Sequence, residues 1–288
     1  MEKHYRFAGV ELAVDIPEEW MYADDRRLAP FRVCSVKDSH RFSFRVTDAL
    51  EPPTGACIAT QPGYRVYGCG EGTVRYIGAV EQGWEPAYIR AAHHGKNHEV
   101  TVRRSELPGT IGVHTVLNAL GAETLIAEAG GFVFHCSYID RGGKAVLFTA
   151  PSETGKSTQA ELWRRLRGAE IINGDRAAVR IVDGHIMAEG IPFSGSSDYC
   201  ENRSLPIEAI VYLGQAKQTT LRNVRGYEAF AKIWEGVSVN TWNRRDVERV
   251  SAAVQQVAER IPVYHLPCTP DESAVIALER ALEGRRES

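Results

Sequence analysis

The stretch Ala150–Thr158, APSETGKST, constrains this chain more than any other. It is entered through KAVLFTA, an apolar run of strand length. It is left through STQAELWRRLRG, whose apolar positions recur at helical spacing as far as Gly168, a C′ glycine. A glycine–lysine–serine turn between such a strand and such a helix builds one kind of concavity. Gly155 lets the backbone approach a ligand, successive N–H groups and the helix N-terminus face an anion, and Lys156 reaches its outer charges. This is the pattern of a phosphate-binding loop made by Ser152, Glu153, Thr154, Gly155, Lys156, Ser157 and Thr158, with the Ser157 hydroxyl available to Mg²⁺. Ala150 stands where the pattern usually has glycine. Alanine serves there at little cost provided its φ is negative, which is therefore expected. The bland alternative is a strand–turn–helix whose Lys156 caps a surface.

The rest of the chain supplies a setting for that loop. Segments up to about residue 108 are short, β-branched or aromatic and alternate with period two: YRFAGVELAVD, FRVCSV, RFSFRVTDAL, YRVYGCGEGTVRYIGAV and EVTVRRSEL. Turn residues such as Pro52-Pro53 and Gly95-Lys96-Asn97 separate them, and the region reads as an antiparallel β-rich domain. From about residue 109 the period changes: Val113, Val116, Leu117 and Leu120 fit a helix, and FVFHCSYID and KAVLFTA form a hairpin around Arg141-Gly142-Gly143. Strands follow in AEIINGDRAAVRIVDGHIMAEGIPF, then an amphipathic helix through Val247, Val250, Val254, Val257 and Ile261. A last helix is expected to open on a capping box, Thr269 to Glu272, with Pro270 at its first position. The expected architecture is α/β with a mixed sheet: a β-rich domain over 1–108 and a phosphate-loop domain over 109–288.

Composition narrows the function classes. The 288 residues exceed one compact core, and a net charge of −3 gives no reason to expect nucleic-acid or membrane-surface binding. The densest basic run, Arg164-Arg165-Leu166-Arg167, falls at a helix C-terminus, where cations complement the macrodipole. Six cysteines without regular spacing suggest thiols in a reducing compartment. The N-terminal residues carry charges where a signal peptide needs an apolar core, and no apolar run reaches the ~20 residues of a membrane span. A cytoplasmic protein is the expectation.

Phosphoryl transfer needs a carboxylate for the metal and a group that orients or deprotonates the acceptor. Asp175, after Ile171-Ile172-Asn173-Gly174, falls at the end of a strand expected beside the loop strand. Taken alone it is a turn residue; beside a phosphate loop it is a metal or base candidate. His135 sits in the strand before the loop, on a face with Val133, Ser137 and Ile139. A lone histidine in such a strand is ordinarily a satisfied core residue; its reach to the loop is the alternative. Arg176 is the first candidate for a cation toward transferred charge, and Arg244 and Arg245 are weaker ones. Ser194–Ser197 form an acceptor loop or only a turn.

His135, Asp140, the Ala150–Thr158 loop and Asn-Gly-Asp-Arg at 173–176 together resemble the kinase domain of HPr serine kinase/phosphorylase. More broadly they resemble the phosphoenolpyruvate-carboxykinase-like family of phosphate-loop proteins. The resemblance spans roughly 110–285. It implies an ATP- and Mg²⁺-dependent kinase acting on a hydroxyl, of a Ser/Thr in a peptide or protein or of a small molecule. Lys156 would neutralise the β- and γ-phosphates, Ser157 would ligate Mg²⁺, Asp175 would bind metal or act as base, and His135 would stand at the acceptor. The chain departs from the family where a carboxylate pair becomes Gly174-Asp175, where a glycine becomes Cys136, and where AEGIPFSGSSDYCENR replaces an Arg-Gly-rich signature. The departures argue against HPr itself as the acceptor. The lost carboxylate is also the evidence for another reading, a nucleotide-binding regulatory protein with degraded catalysis. The β-rich region would recognise the acceptor or mediate assembly into a homo-oligomer. His93, His94 and His98 straddle a hairpin turn, so three imidazoles are not expected to converge on a metal.

Overall fold

The computed structural model describes residues 2–15, 27–70, 72–78, 87–106, 119–193 and 199–284. The chain is a mixed α/β protein with two large mixed β-sheets, and it divides into two compact units, Met1–Leu125 and Ile126–Ser288. The boundary expected near residue 109 lies outside the described residues, as do Val113, Val116 and Leu117.

The first unit is a nine-stranded sheet in the order β3-β1-β2-β4-β9-β8-β7-β6-β5. Its strands are β1 (Glu2–Phe7), β2 (Val10–Asp15), β3 (Arg32–Val33), β4 (His40–Thr47), β5 (Cys57–Gln61), β6 (Tyr64–Cys69), β7 (Gly72–Gly78), β8 (Ala87–His94) and β9 (Asn97–Arg103). The wholly antiparallel sheet expected from the hairpin signals is corrected at two places: β2 pairs with β4 and β4 with β9 in parallel. The hairpins themselves form where turn residues allow, with Gly95 at φ 57° between β8 and β9. Parallel partners instead need long crossovers, and a sequence pattern does not say which distant strands those will join. Alternation still decides the buried face: Phe42 and Phe44 of β4, and Val100 and Val102 of β9, are buried between exposed or half-buried neighbours.

A helix, α1 (Ala122–Glu128), spans the division between the units along the chain and leads into β10 (Gly131–Asp140). The elements that follow are β11 (Ala145–Thr149), α2 (Lys156–Arg167), β12 (Glu170–Asn173), β13 (Arg176–Val182), β14 (His185–Glu189) and β15 (Ser204–Gln215). After them come β16 (Arg222–Val224), α3 (Gly226–Trp234), β17 (Val237–Ser238), α4 (Arg244–Arg260), β18 (Val263–Cys268) and α5 (Glu272–Glu283). Two long strands organise the sheet. β10 pairs with β13 through its first half and with β11 through its second, and β15 passes from β14 to β11. The pairings β10–β11–β15–β14–β13–β10 therefore close a ring, while β11, β15 and β18 run parallel.

Both faces of the parallel strands are covered, as such strands require. Val146, Phe148, Val211 and Leu266 meet Ala160 and Trp163 of α2 and Val275 and Leu278 of α5. On the other side Leu147, Ile210 and Val263 meet Ile233 of α3 and Val250, Val254 and Val257 of α4. Trp163 and Phe148 are fully buried, and each such side chain contributes roughly 1.5–3 kcal/mol of transfer free energy.

Helix ends follow local chemistry. α2 stops at Gly168, in the left-handed region at φ 68°, and Asn243 caps α4 by accepting from the Arg245 N–H. The last helix corrects the expected capping box. Asp271 is the N-cap and accepts from Ser273 N at 2.8 Å, so the helix starts two residues later, while the Thr269 hydroxyl turns to Thr219 at 3.3 Å.

Candidate functional site

The site is built around the middle of β10. Its first half is flanked by β13 and β17, its second by β12 and β11, so the junctions of both pairs fall beside His135 and Cys136. Asp175 occupies the break between β12 and β13, and its carbonyl accepts from Cys136 N at 3.0 Å. The strand expected beside the loop strand is thus one place away: β12 pairs with β10, and β10 separates it from β11.

Asn173 shapes that break. It is fully buried; its Oδ1 accepts from Asp175 N at 2.9 Å and Arg176 N at 3.0 Å, while Nδ2 donates to the carbonyls of Ile191 and Phe193. An asparagine that bonds the backbone two residues on is an Asx turn, and here it aims the Asp175 side chain. His135 Nε2 lies 3.3 Å from Asp175 Oδ1, and Arg176 Nε donates to Oδ2 at 3.2 Å. Burial works to raise the Asp175 carboxyl, but the bond from His135 and the charge of Arg176 outweigh it and hold it below the ordinary carboxylate range.

His135 is fixed through its backbone. Its N–H donates to the Gly236 carbonyl at 2.7 Å, and its own carbonyl accepts from Thr149 Oγ1 at 3.0 Å. A side chain is excluded at Gly236: a Cβ there would stand 2.6 Å from Thr149 Oγ1 and 2.7 Å from the Phe134 ring. Thr149 and Gly236 were not singled out from sequence, and Asn173 entered only as part of the Asn-Gly-Asp-Arg stretch, with no role. Only Asn173 carries a local signal, its place before Gly-Asp in a turn; Thr149 and Gly236 meet through pairing.

Above this sits the Ala150–Thr158 loop. Ala150 is absent from the positive-φ residues, as expected, whereas Glu153 is left-handed at φ 62° and Gly155 at φ 110°. No side chain caps the start of α2. Lys156 is only 8% exposed, and its Nζ donates to the carbonyls of Ala150 (3.1 Å) and Pro151 (3.3 Å). Burial lowers its pKa and the Asp175 charge pulls it back up, which couples the loop to the β12–β13 break.

Two cavities flank the start of α2. One, of about 700 Å³, is lined by Ser157, Thr158, Glu161, Arg165, Asp175 and Tyr199 among others. The other, of about 340 Å³, lies toward the carboxyl ends of β15 and β18 and receives Glu153, Thr154 and Gly155. Of the candidates read from sequence, Ser157, Thr158 and Asp175 thus share one cavity, with His135 and Arg176 bonded to Asp175. Ser152 is exposed, and its carbonyl accepts from the Thr154 hydroxyl at 3.4 Å. Asp140, five residues from His135, stands at the far end of β10, about 16 Å along the strand. There it accepts from Gly143 N and pairs with Arg203 at 3.0 Å, the work of a turn and an ion pair. Arg244 is 91% exposed and paired with Glu248, and it lines neither of these cavities. Ser194–Ser197 lie outside the described residues.

In the first unit His93 and His98 do meet, with Nδ1 atoms 3.1 Å apart, and His40 Nδ1 approaches His98 Nε2 at 3.0 Å. His94 is exposed, and no group of three or more metal-ligating side chains is placed to hold an ion among the described residues.

No family model matches the chain, and no curated protein matches it. Among solved structures it is similar to the Hpr(Ser) kinase/phosphatase from Coxiella burnetii, with 12% identity and a TM-score of 0.34 over 54% of this chain and 99% of that one. No described helix is long and apolar enough to cross a membrane.

Proposed function

We propose that the second unit is an ATP- and Mg²⁺-dependent phosphotransferase acting on a hydroxyl, of a serine or threonine in a peptide or protein or of a small molecule. The observation that carries the reading is that Ser157 of the loop and Asp175 of the β12–β13 break line one cavity, with the charge of Asp175 also acting on Lys156. The donor set suits the ligands. Lys156 Nζ, spending its bonds on two loop carbonyls, is a cation ready to turn to phosphate oxygens. A hydroxyl and a carboxylate, Ser157 and Asp175, are oxygen ligands of the kind Mg²⁺ takes. When bound, the metal supplies charge neutralisation on the phosphates.

The residues of the chain do the rest. The loop and the N-terminus of α2 orient the triphosphate, and Lys156 offsets charge on the β- and γ-oxygens. Asp175, held ionised by His135 and Arg176, takes the acceptor proton as the acceptor oxygen bonds to the γ-phosphorus and the bond to the β-phosphate oxygen breaks. Arg176 stands beside the developing charge, and His135 orients the acceptor. A second reading, a regulatory nucleotide binder, is favoured by one feature. Gly174, where the resemblance leads one to expect a carboxylate, offers only its carbonyl, which accepts from Ser137 Oγ at 3.0 Å.

The test is the thermal midpoint with and without Mg·ATP, for the natural chain and for Lys156→Ala. Ligand at a hundred times Kd adds about 2.7 kcal/mol, a shift of roughly 2–4 °C. The shift is expected in the natural chain and absent in the variant; no shift in either sinks the reading.

A further inference from the structure

We infer that the 340 Å³ cavity between α2 and the carboxyl ends of β15 and β18 takes an adenine base, and that Gln159 is the residue that reads it. The inference rests on the phosphate-binding reading above and deepens it.

The position follows from the strand order. β11 feeds the loop, with β10 on one side and β15, then β18, on the other. Asp175, the residue assigned to the reacting end of the triphosphate, lies on the β10 side. The chain of phosphates crosses the start of α2, so its other end leaves on the β15 side, outside the carboxyl ends of parallel strands. That is where the second cavity opens, and Glu153, Thr154, Gly155 and Thr158 line it together with Leu213, Gln215 and Cys268. Its volume falls in the range of ligand pockets.

The chemistry follows from Gln159. Gln159, in the first turn of α2, is among the residues lining the cavity and is 2% exposed, yet its Oε1 has no hydrogen-bond partner among the described residues. Its Nε2 donates only to the Cys268 sulfur, at 3.5 Å, and sulfur is a weak acceptor. A buried amide oxygen without a donor costs about 1–3 kcal/mol, so the site is built for something that brings one. Adenine brings it: its exocyclic amine donates to Oε1, and the neighbouring ring nitrogen is a better acceptor for Nε2 than the thiol. This is the bidentate pairing by which amide side chains read adenine. Leu213 supplies an apolar wall, and Pro270 borders both this cavity and the one beside Asp175.

The experiment measures Mg²⁺-dependent binding of ATP and of inorganic tripolyphosphate to the full chain and to Gln159→Leu, Ala216→Phe and Lys156→Ala. Gln159→Leu is near-isosteric and removes an unsatisfied acceptor, so it should fold. Ala216→Phe fills the cavity from the end of β15 and serves as the second variant. The expected result is that each weakens ATP about tenfold or more and leaves tripolyphosphate unchanged, while Lys156→Ala weakens both. ATP binding as tight in Gln159→Leu and Ala216→Phe as in the natural chain, with tripolyphosphate still dependent on Lys156, overturns the base assignment alone. Failure of the natural chain to bind either ligand overturns the phosphate reading and this assignment with it.

Discussion

Each unit of this protein holds a histidine in a strand of apolar neighbours, and the two have opposite surroundings. His98 in the first unit is 4% exposed, stacks on Phe42 at 4.2 Å between ring centroids, and meets only other imidazoles through its nitrogens. Burial there, with His40, His94 and Arg75 nearby, pushes its pKa down to about 3. His135 in the second unit is about a third exposed and faces the carboxylate of Asp175. What separates a packing histidine from a chemical one is therefore the partner. An imidazole among rings and cations is held neutral, whereas His135 has a carboxylate within hydrogen-bonding reach.

The largest effect that would sharpen this contrast is on turnover. Asp175→Asn removes the partner of His135 and keeps the shape; phosphoryl transfer to a hydroxyl acceptor is expected to fall by about 10²- to 10⁴-fold, with the Mg·ATP thermal shift retained. A variant with unchanged turnover would return Asp175 to a turn residue. Next in size is Gly236→Ala, which drives a methyl into Thr149 and Phe134 and displaces the carbonyl that holds the His135 N–H. A loss of about 1–3 kcal/mol in urea unfolding is expected. A neutral result would show that the backbone of β10 is not held as tightly as the geometry implies.

The last effect concerns acid. Because the folded His98 binds its proton far below the ordinary value of 6.5, the unfolded chain is protonated first. Its contribution to stability is complete above pH 6.5 and is lost as pH falls toward 3, by at most about 1.4 kcal/mol per pH unit. His40 and His93 are lowered by burial as well and act in the same direction. Asp175, also lowered, contributes stability above the ordinary carboxylate range and loses it only at more acid pH. Hydrogen exchange at pH 5.5 against pH 7.5, corrected for intrinsic rates, should show β8 and β9 losing protection before β10 and β11. His98→Leu should reduce the difference, with His40 and His93 supplying what remains; equal loss in both units would break the comparison.

Local signals found most of the elements around the site. The β10–β11 hairpin, the start of α2 after Gly155 and its stop at Gly168, the amphipathic face of α4 and the negative φ of Ala150 all rest on neighbours within a few residues. Asp175 was legible as a candidate because it follows Ile-Ile-Asn-Gly beside a phosphate-loop pattern. His135 and Arg176, which bond it, were legible as candidates as well; the contacts that fix the two histidines were not, for Gly236 is 101 residues from His135 along the chain and His40 is 58 from His98. Asp140 belongs to the resemblance but not to the site, since a spacing of five along a strand carries a side chain about 16 Å from His135.

The sequence by itself determined where a strand must give way to a helix through a glycine–lysine turn, because backbone freedom at Gly155 and apolar periodicity are properties of a few adjacent residues. Tertiary structure alone decided that β12 lies against β10 and not β11, that Asp175 meets His135, and that Gln159 is left with an unpartnered oxygen beside a cavity. Those outcomes depend on which distant strands pair and in what register, and pairing is chosen by the burial of whole faces rather than by any one residue.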